Sequence, residues 1–298
     1  MPTGLCRDHA PFSTFWGDVP AIQVEWALGF QPLALWAMDL TIVGCSGSFP
    51  GPDSAASCYL IEAEGFRLVV DLGNGALGPL QRYAALDRID AVCISHLHAD
   101  HCLDMCGYQV FRTYHPAGQL PPIPVYGPDD APARLDRATA IESPSPMSSI
   151  ADRFDFVALT SGTIEIGPLR VTLDRVNHPV ETYGFRFEHN GRAIAYSADT
   201  GVCEQLVRLA DGADVLLCEA SFVDAEGLPP DLHLTARQAG EHAALADVGE
   251  LILTHLVPWN SADEVLAQAA STYPGVISLA RPGVVVKPGQ LIDCLTCG

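Results

Sequence analysis

Ser95-His96-Leu97-His98-Ala99-Asp100-His101 places three imidazoles and a carboxylate within six residues, in a chain that has only ten histidines. Asp90–Ser95, just before it, reads as an apolar strand, and Asp100–Tyr114 reads as a helix. The cluster therefore lies on a strand-to-helix loop. Imidazole nitrogens and carboxylate oxygens are the donors that zinc-like cations favour. In an extended loop alternate side chains share a face. His96 and His98 then point one way, while Asp100 and His101 turn away to serve a second ion.

More ligands come from strand ends elsewhere. His178 lies in Val176-Asn177-His178-Pro179, Asp199 in Ser197-Ala198-Asp199-Thr200-Gly201, and His255 in Leu253-Thr254-His255-Leu256. Each alone reads more simply as a turn residue. Together with the loop they complete a two-ion set: His96, His98 and His178 on one ion, Asp100, His101 and His255 on the other, and Asp199 bridging. Two divalent cations a few ångströms apart suit in-line attack on a phosphodiester, with a water acidified to a pKa of about 7. Zinc is the expected metal, with manganese and iron as alternatives.

Outward from the loop, short β-rich runs alternate with helical patterns. A start, a short strand and a glycine turn are expected within 38–48, and strands at 57–63 and 66–71, joined at Glu64-Gly65, and at 123–126, 169–174, 182–188, 193–197, 215–219, 251–254 and 276–279. Helices are expected at 75–84, within 128–150, at 235–246 with Thr235 as N-cap, and at 261–272. The second half echoes the first. The expectation is an α/β sandwich of two sheets face to face with helices outside. Residues 38–298 form that domain. Residues 1–37 show no period, so they are either a poorly ordered extension or sequence upstream of a true start at Met38.

The 298 residues are 48% hydrophobic and 17% charged, which excludes a disordered chain. Lys+Arg number 16 against Asp+Glu 36, a net charge of -20, with Lys287 the single lysine. A polyanion would meet a repelling field, so nucleic acid is a poor partner. No run reaches the roughly 20 apolar residues that span a bilayer. The apolar stretch 27–38 lacks the basic flank of a signal peptide. A cytoplasmic chain is expected, its ten cysteines reduced, with Cys294 and Cys297 an incidental pair.

The His-x-His-x-Asp-His loop with His178, Asp199 and His255 resembles the metallo-β-lactamase fold, a four-layer αββα sandwich. Asp71 in Val69-Val70-Asp71-Leu72-Gly73 matches that fold's buried aspartate beside the metal loop. Cys218-Glu219-Ala220-Ser221 and Asp231-Leu232-His233-Leu234-Thr235 resemble ribonuclease Z. There the matching His acts on the leaving group and the Glu orients it, which implies His233 and Glu219 as catalytic residues beside the metal ligand Asp100. Gly44-Cys45-Ser46-Gly47-Ser48, the His loop through Asp104, and Pro229-Pro230-Asp231-Leu232-His233 are similar also to mycobacterial-type atypical cyclic-nucleotide phosphodiesterases.

Ribonuclease Z carries a long tRNA-gripping arm between the positions matching His178 and Asp199. Here only about twenty residues separate them, enough for two strands and a turn. A small substrate, a 3′,5′-cyclic nucleotide such as cyclic AMP, is the better fit. A ribonuclease Z-like endonuclease, or a lactonase, thioesterase or sulfatase on this fold, is the alternative. Ser46 and Ser48 are candidate phosphate binders, though a plain turn reads equally well. Trp259 is a candidate base-stacking residue, though packing is the simpler reading. His9, His115, His189 and His242 read as structural or exposed, and Glu181 and Arg186 as strand-face charges. Relatives of this fold commonly dimerise, which makes a homodimer an expectation.

Overall fold

The computed structural model describes residues 38–139 and 149–289. The extension 1–37 and the pair Cys294 and Cys297 lie outside the described residues.

Among the described residues, fourteen strands form two sheets of seven. The first holds β1 (Met38–Gly44), β2 (Cys58–Ala63), β3 (Phe66–Val70), β4 (Ala91–Cys93), β5 (Ile123–Gly127), β6 (Phe154–Ala158) and, at its edge, β14 (Val285–Val286), in the order β14-β1-β2-β3-β4-β5-β6. The second holds β7 (Gly162–Ile166), β8 (Leu169–Arg175), β9 (Tyr183–His189), β10 (Arg192–Tyr196), β11 (Val215–Glu219), β12 (Glu250–Thr254) and β13 (Val276–Leu279), in reverse order. Both sheets are mixed, antiparallel on one side and parallel on the other.

The layering follows from side-chain alternation. Leu40 and Ile42 of β1 face the inter-sheet core with Phe185 and Phe187 of β9, while Val43 faces outward. In β11, Val215 and Leu217 join that core, and Leu216 and Cys218 meet the outer helices. β11, parallel to both its neighbours, is apolar on both faces, as a buried parallel strand must be. Helices α1 (Leu77–Leu80), α2 (Ala99–Cys102), α3 (Met105–Thr113) and α4 (Ala131–Thr139) belong to the first sheet's outer face. Helices α5 (Glu204–Ala210), α6 (Ala236–Leu245) and α7 (Ala262–Ala270) cover the second. This is the expected αββα sandwich.

Several boundaries differ from the sequence expectation. The helix expected over Asp100–Tyr114 is two helices, α2 and α3. Asp104 interrupts it: its amide donates to the Leu72 carbonyl and its carboxylate accepts from the Leu77 amide. The helix expected at 75–84 keeps one turn, α1. Strands β6, β7 and β14 and helix α5 were not expected from the pattern. Thr235 caps α6 in a capping box with Gln238, as its position implied. Among the described residues no helix is long and apolar enough to cross a membrane.

Candidate metal centre

The expected ligand set gathers at one end of the strands, where the two sheets meet. On the first sheet's side, His96 and His98 lie on the loop after β4, and Asp100 and His101 lie on the short helix α2 that follows. The second supplies His178 after β8, Asp199 after β10 and His255 after β12. Asp199 and His255 hold buried positions, and His255 takes a left-handed φ of 55° that carries its ring inward. Such backbone conformations in non-glycine residues concentrate at functional sites.

The ring nitrogens converge in two groups. His96 Nε2 stands 3.1 Å from His98 Nδ1, which stands 3.3 Å from His178 Nε2. His101 Nε2 and His255 Nε2 are 3.3 Å apart, with Asp100 Oδ2 3.0 Å from the latter. Asp199 joins both groups: Oδ2 lies 3.6 Å from His96 Nε2, and Oδ1 lies 3.2 Å from His101 and 3.4 Å from His255. Two nitrogens at about 2.0–2.1 Å from one tetrahedral zinc stand about 3.3 Å apart. The spacing is that of donors around a common cation. Asp199 Oδ1 is also buried with no hydrogen bond, a state that a cation would relieve. The His/Asp cluster is thus able to hold metal ions.

The outer hydrogen bonds set the tautomers. Asp71, itself buried at a left-handed φ of 56°, accepts from His101 Nδ1, the Ser95 amide, the Ser95 hydroxyl and the Tyr196 hydroxyl, all within 2.8 Å. His178 Nδ1 donates to the Leu232 carbonyl at 2.9 Å. His255 Nδ1 meets Ser221 Oγ at 2.7 Å, and that hydroxyl reaches Glu219 Oε2 at 2.9 Å. Each of these rings keeps Nε2 for the cluster. Such outer partners orient metal-binding histidines. Burial lowers the His96 pKa well below its ordinary value, as a neutral ligand requires. Burial works against charge on Asp199 too, but His101, His255 and His96 hold it well below the usual carboxylate range. Asp100 is likewise depressed, its burial outweighed by hydrogen bonds from His101 and His255.

Glu219 and His233 meet beside these groups. His233 Nδ1 donates to Glu219 Oε1 at 2.9 Å, and the same oxygen accepts the Thr200 amide at 2.7 Å. Burial alone would lower His233, but the charge and hydrogen bond of Glu219 raise it to about 9.

Of the three candidate substrate contacts, Ser46 is spent internally. Its amide donates to Ala55 and its hydroxyl to Phe49. Ser48, at a left-handed φ of 63°, aims its amide at His255 Nε2, 3.3 Å away. Trp259 is 73% exposed, so packing does not explain it. Sequence reasoning overlooked Arg134 and Arg137. They lie three residues apart on α4 and line a cleft of about 400 Å³ with His98, Val180 and Glu181. Among the described residues neither has an ion-pair partner. Their helical spacing was readable, but their place beside His98 was not. Glu181 lies in that cleft rather than on a strand, where it accepts from the Tyr183 hydroxyl. His189 and His242 are buried and hydrogen-bonded, as structural histidines.

A family model described as a beta-lactamase superfamily domain matches residues 66–256. A mycobacterial protein of uncharacterised function from Mycobacterium leprae is 45% identical over 247 residues, 82% of this chain and 86% of its own. The probable metallo-hydrolase YhfI of Bacillus subtilis is 29% identical over 252 residues, 83% of this chain and 99% of its own. Its crystal structure superposes with a TM-score of 0.74 at 28% identity, covering 85% of this chain and 99% of that one. Ribonuclease Z of Mycolicibacterium gilvum is 30% identical over 293 residues, 84% of this chain and 99% of its own. Fold, donor set and similarity agree: the chain belongs to the metallo-β-lactamase-fold hydrolase superfamily.

Proposed function

We propose that this chain is a dinuclear-metal phosphodiesterase that hydrolyses 3′,5′-cyclic nucleotides, cyclic AMP foremost, to 5′-nucleoside monophosphates. The carrying observation is the Glu219–His233 pair, which stands against both ligand clusters with a proton to give. In this reading His96, His98 and His178 hold one ion, Asp100, His101 and His255 the other, and Asp199 bridges. Zinc fits this nitrogen-rich borderline set, with manganese or iron as alternatives. Two bound cations supply a water acidified to about neutral pKa and a clamp on the phosphoryl oxygens.

The chain's own residues do the rest. Water adds across the P–O3′ bond. As that bond breaks, its electron pair goes to O3′, which takes a proton from His233 Nε2. Glu219 holds the ring by Nδ1 and favours the charged imidazolium until transfer. A His255 nitrogen committed to a cation cannot accept a hydrogen bond, so the Ser48 amide is free to meet a phosphoryl oxygen.

Substrate size rests on the connection between His178 and Asp199. It is the hairpin β9–β10, closed by Asn190 and Gly191 at positive φ, with no arm. The ribonuclease Z alignment is longer than the share of this chain it takes in, so that relative carries insertions that this chain lacks. Arg134 and Arg137 supply local positive charge that offsets the net charge of -20 for an anionic ligand. The reading is of a cytoplasmic enzyme on a small diester, with the seven described cysteines free, and of a homodimer as in other members of the fold.

The 30% identity to ribonuclease Z gives the second reading, a tRNA 3′-processing endonuclease. Metal-loaded protein assayed in parallel on 3′,5′-cyclic AMP, a precursor tRNA and a simple lactone separates the readings. The expected outcome is 5′-AMP as the main product. Faster cleavage of the tRNA or the lactone overturns the proposal.

A further inference from the structure

We infer that Phe49 and Trp259 form a stacking platform for the substrate's nucleobase, a subsite that rests on the phosphodiesterase reading. The two rings touch, with centroids 5.4 Å apart at 38°. Both face solvent, Phe49 at 39% and Trp259 at 73% exposure. Large aromatic rings dominate core energetics, so two in contact on the surface await a partner.

Their loops are fixed rather than pliable. The Gly47 amide donates to the Leu256 carbonyl and the Leu256 amide to the Cys45 carbonyl. A Cβ on Gly47 would stand 2.3 Å from the His255 carbonyl oxygen, so only glycine allows this approach. Gly51 packs against Pro258 in the same seam. A platform already in place costs little to order when a ring lands on it.

Position selects the occupant. Phe49 follows Ser48, whose amide lies 3.3 Å from His255 Nε2, and Trp259 follows His255 by four residues. A diester with its phosphate at the cluster would project its organic part over this rim. The part of a nucleotide that suits exposed rings is the flat base, and base–aromatic stacking is sequence-tolerant.

The test compares two ligands with one phosphate in common. Calorimetry on the metal-loaded protein measures adenosine 5′-monophosphate against ribose 5-phosphate. Wild type should favour the nucleotide by about 5- to 150-fold, the worth of one stacked base. Phe49→Leu and Trp259→Leu together should erase most of that gap. A gap that survives in the double variant, or no gap in wild type, overturns the platform. So does a double variant that changes only its sedimentation, which marks the rings as a seam between copies. Turnover of cyclic AMP by wild type judges the underlying phosphodiesterase reading separately.

A different set of contacts carries a second inference: the geometry points to Asn177 as a positioning residue for the acid-bearing loop. Asn177 Nδ2 donates to Asp231 Oδ1 at 2.8 Å, two residues before His233. Its backbone carbonyl accepts the Gly201 amide, and its own amide donates to Thr200 Oγ1, beside Asp199. His178, the next residue, donates to Leu232. One asparagine thus ties together the loops of His178, Asp199 and His233. Asp231 sits at a left-handed φ of 56°, and a Cβ on Gly201 would lie 2.7 Å from its Cα.

Asn177→Asp sets two carboxylates against each other and should detach the loop. The readout is the ratio of cyclic AMP to bis(nitrophenyl) phosphate turnover, with metal content measured alongside. Asn177→Asp should lower that ratio at least tenfold at full metal content. Adding Asp231→Asn restores a donor–acceptor pair in reverse and should recover most of it. If Asn177→Asp does not fold, Asp231→Ala cuts the tie from the other side and should lower the ratio likewise. An unchanged ratio, or no recovery in the double variant, overturns this assignment. His233→Ala, which removes the acid itself, tests the reading beneath it.

Discussion

The two sheets contribute to one site in opposite ways. In the proposed reading the first sheet's side gives four ligands from one short segment, His96 to His101, which runs from the loop after β4 into α2 and is braced by Asp71 beneath. The second gives His178, Asp199, His233 and His255 from separate loops and Glu219 from the end of β11, and these are tied to one another by hydrogen bonds among Asn177, Thr200, Ser221 and Leu232. A segment of six residues fixes its geometry by chain connectivity. Scattered residues need a network, and in the proposed reading this one also holds the acid. In the proposed reading the first sheet's side serves the ions alone, and the second sheet divides its residues between the ions and the proton.

Asp199→Ala breaks this arrangement most severely, because one carboxylate joins both clusters. Activity on any diester should fall to background, and elemental analysis should show less than two ions per chain. Full occupancy would remove Asp199 from the set. Asp71→Asn strikes only the first half. It weakens the acceptor for His101 Nδ1 and should cost about 10- to 100-fold in affinity for the ion at His101. The ion at His96, His98 and His178 should be retained, as a stepwise metal titration would reveal. Equal weakening of both ions would mean that Asp71 acts on more than the ion at His101.

Glu219→Gln strikes only the second half and should have the smallest effect. Metal content should hold, and turnover should fall by less than for loss of His233. The Glu219 charge raises the His233 pKa, so its removal lowers it. The acid is then lost at a lower pH, and the alkaline limb of the pH–rate profile should move down. An unmoved limb would separate Glu219 from the acid.

The same contrast explains what the sequence disclosed. The His loop was legible because donor type and spacing alone carry its chemistry. The scattered ligands were legible only as turn residues until the loop supplied a reason to group them. Strands β1 to β3 and β8 to β12 were readable because their runs are short and apolar, β11 and β12 on both faces. Strands β6 and β7 were not, since exposed Val157 and the Gly162 turn blur their period. The break between α2 and α3 rests on Asp104 reaching Leu77, a contact across 27 residues that no local pattern records. Arg134, Arg137 and Phe49 gained meaning only from their neighbours in space.

The division between metal cage and proton donor is tested most directly by His233→Ala, assayed on two diesters with metal content checked. The account expects both ions to remain, and cyclic AMP turnover to fall by roughly 10²–10⁴, the worth of a placed general acid. On bis(nitrophenyl) phosphate, whose leaving group needs no proton, the loss should be far smaller. Equal losses on both substrates, or loss of a metal ion, would contradict it.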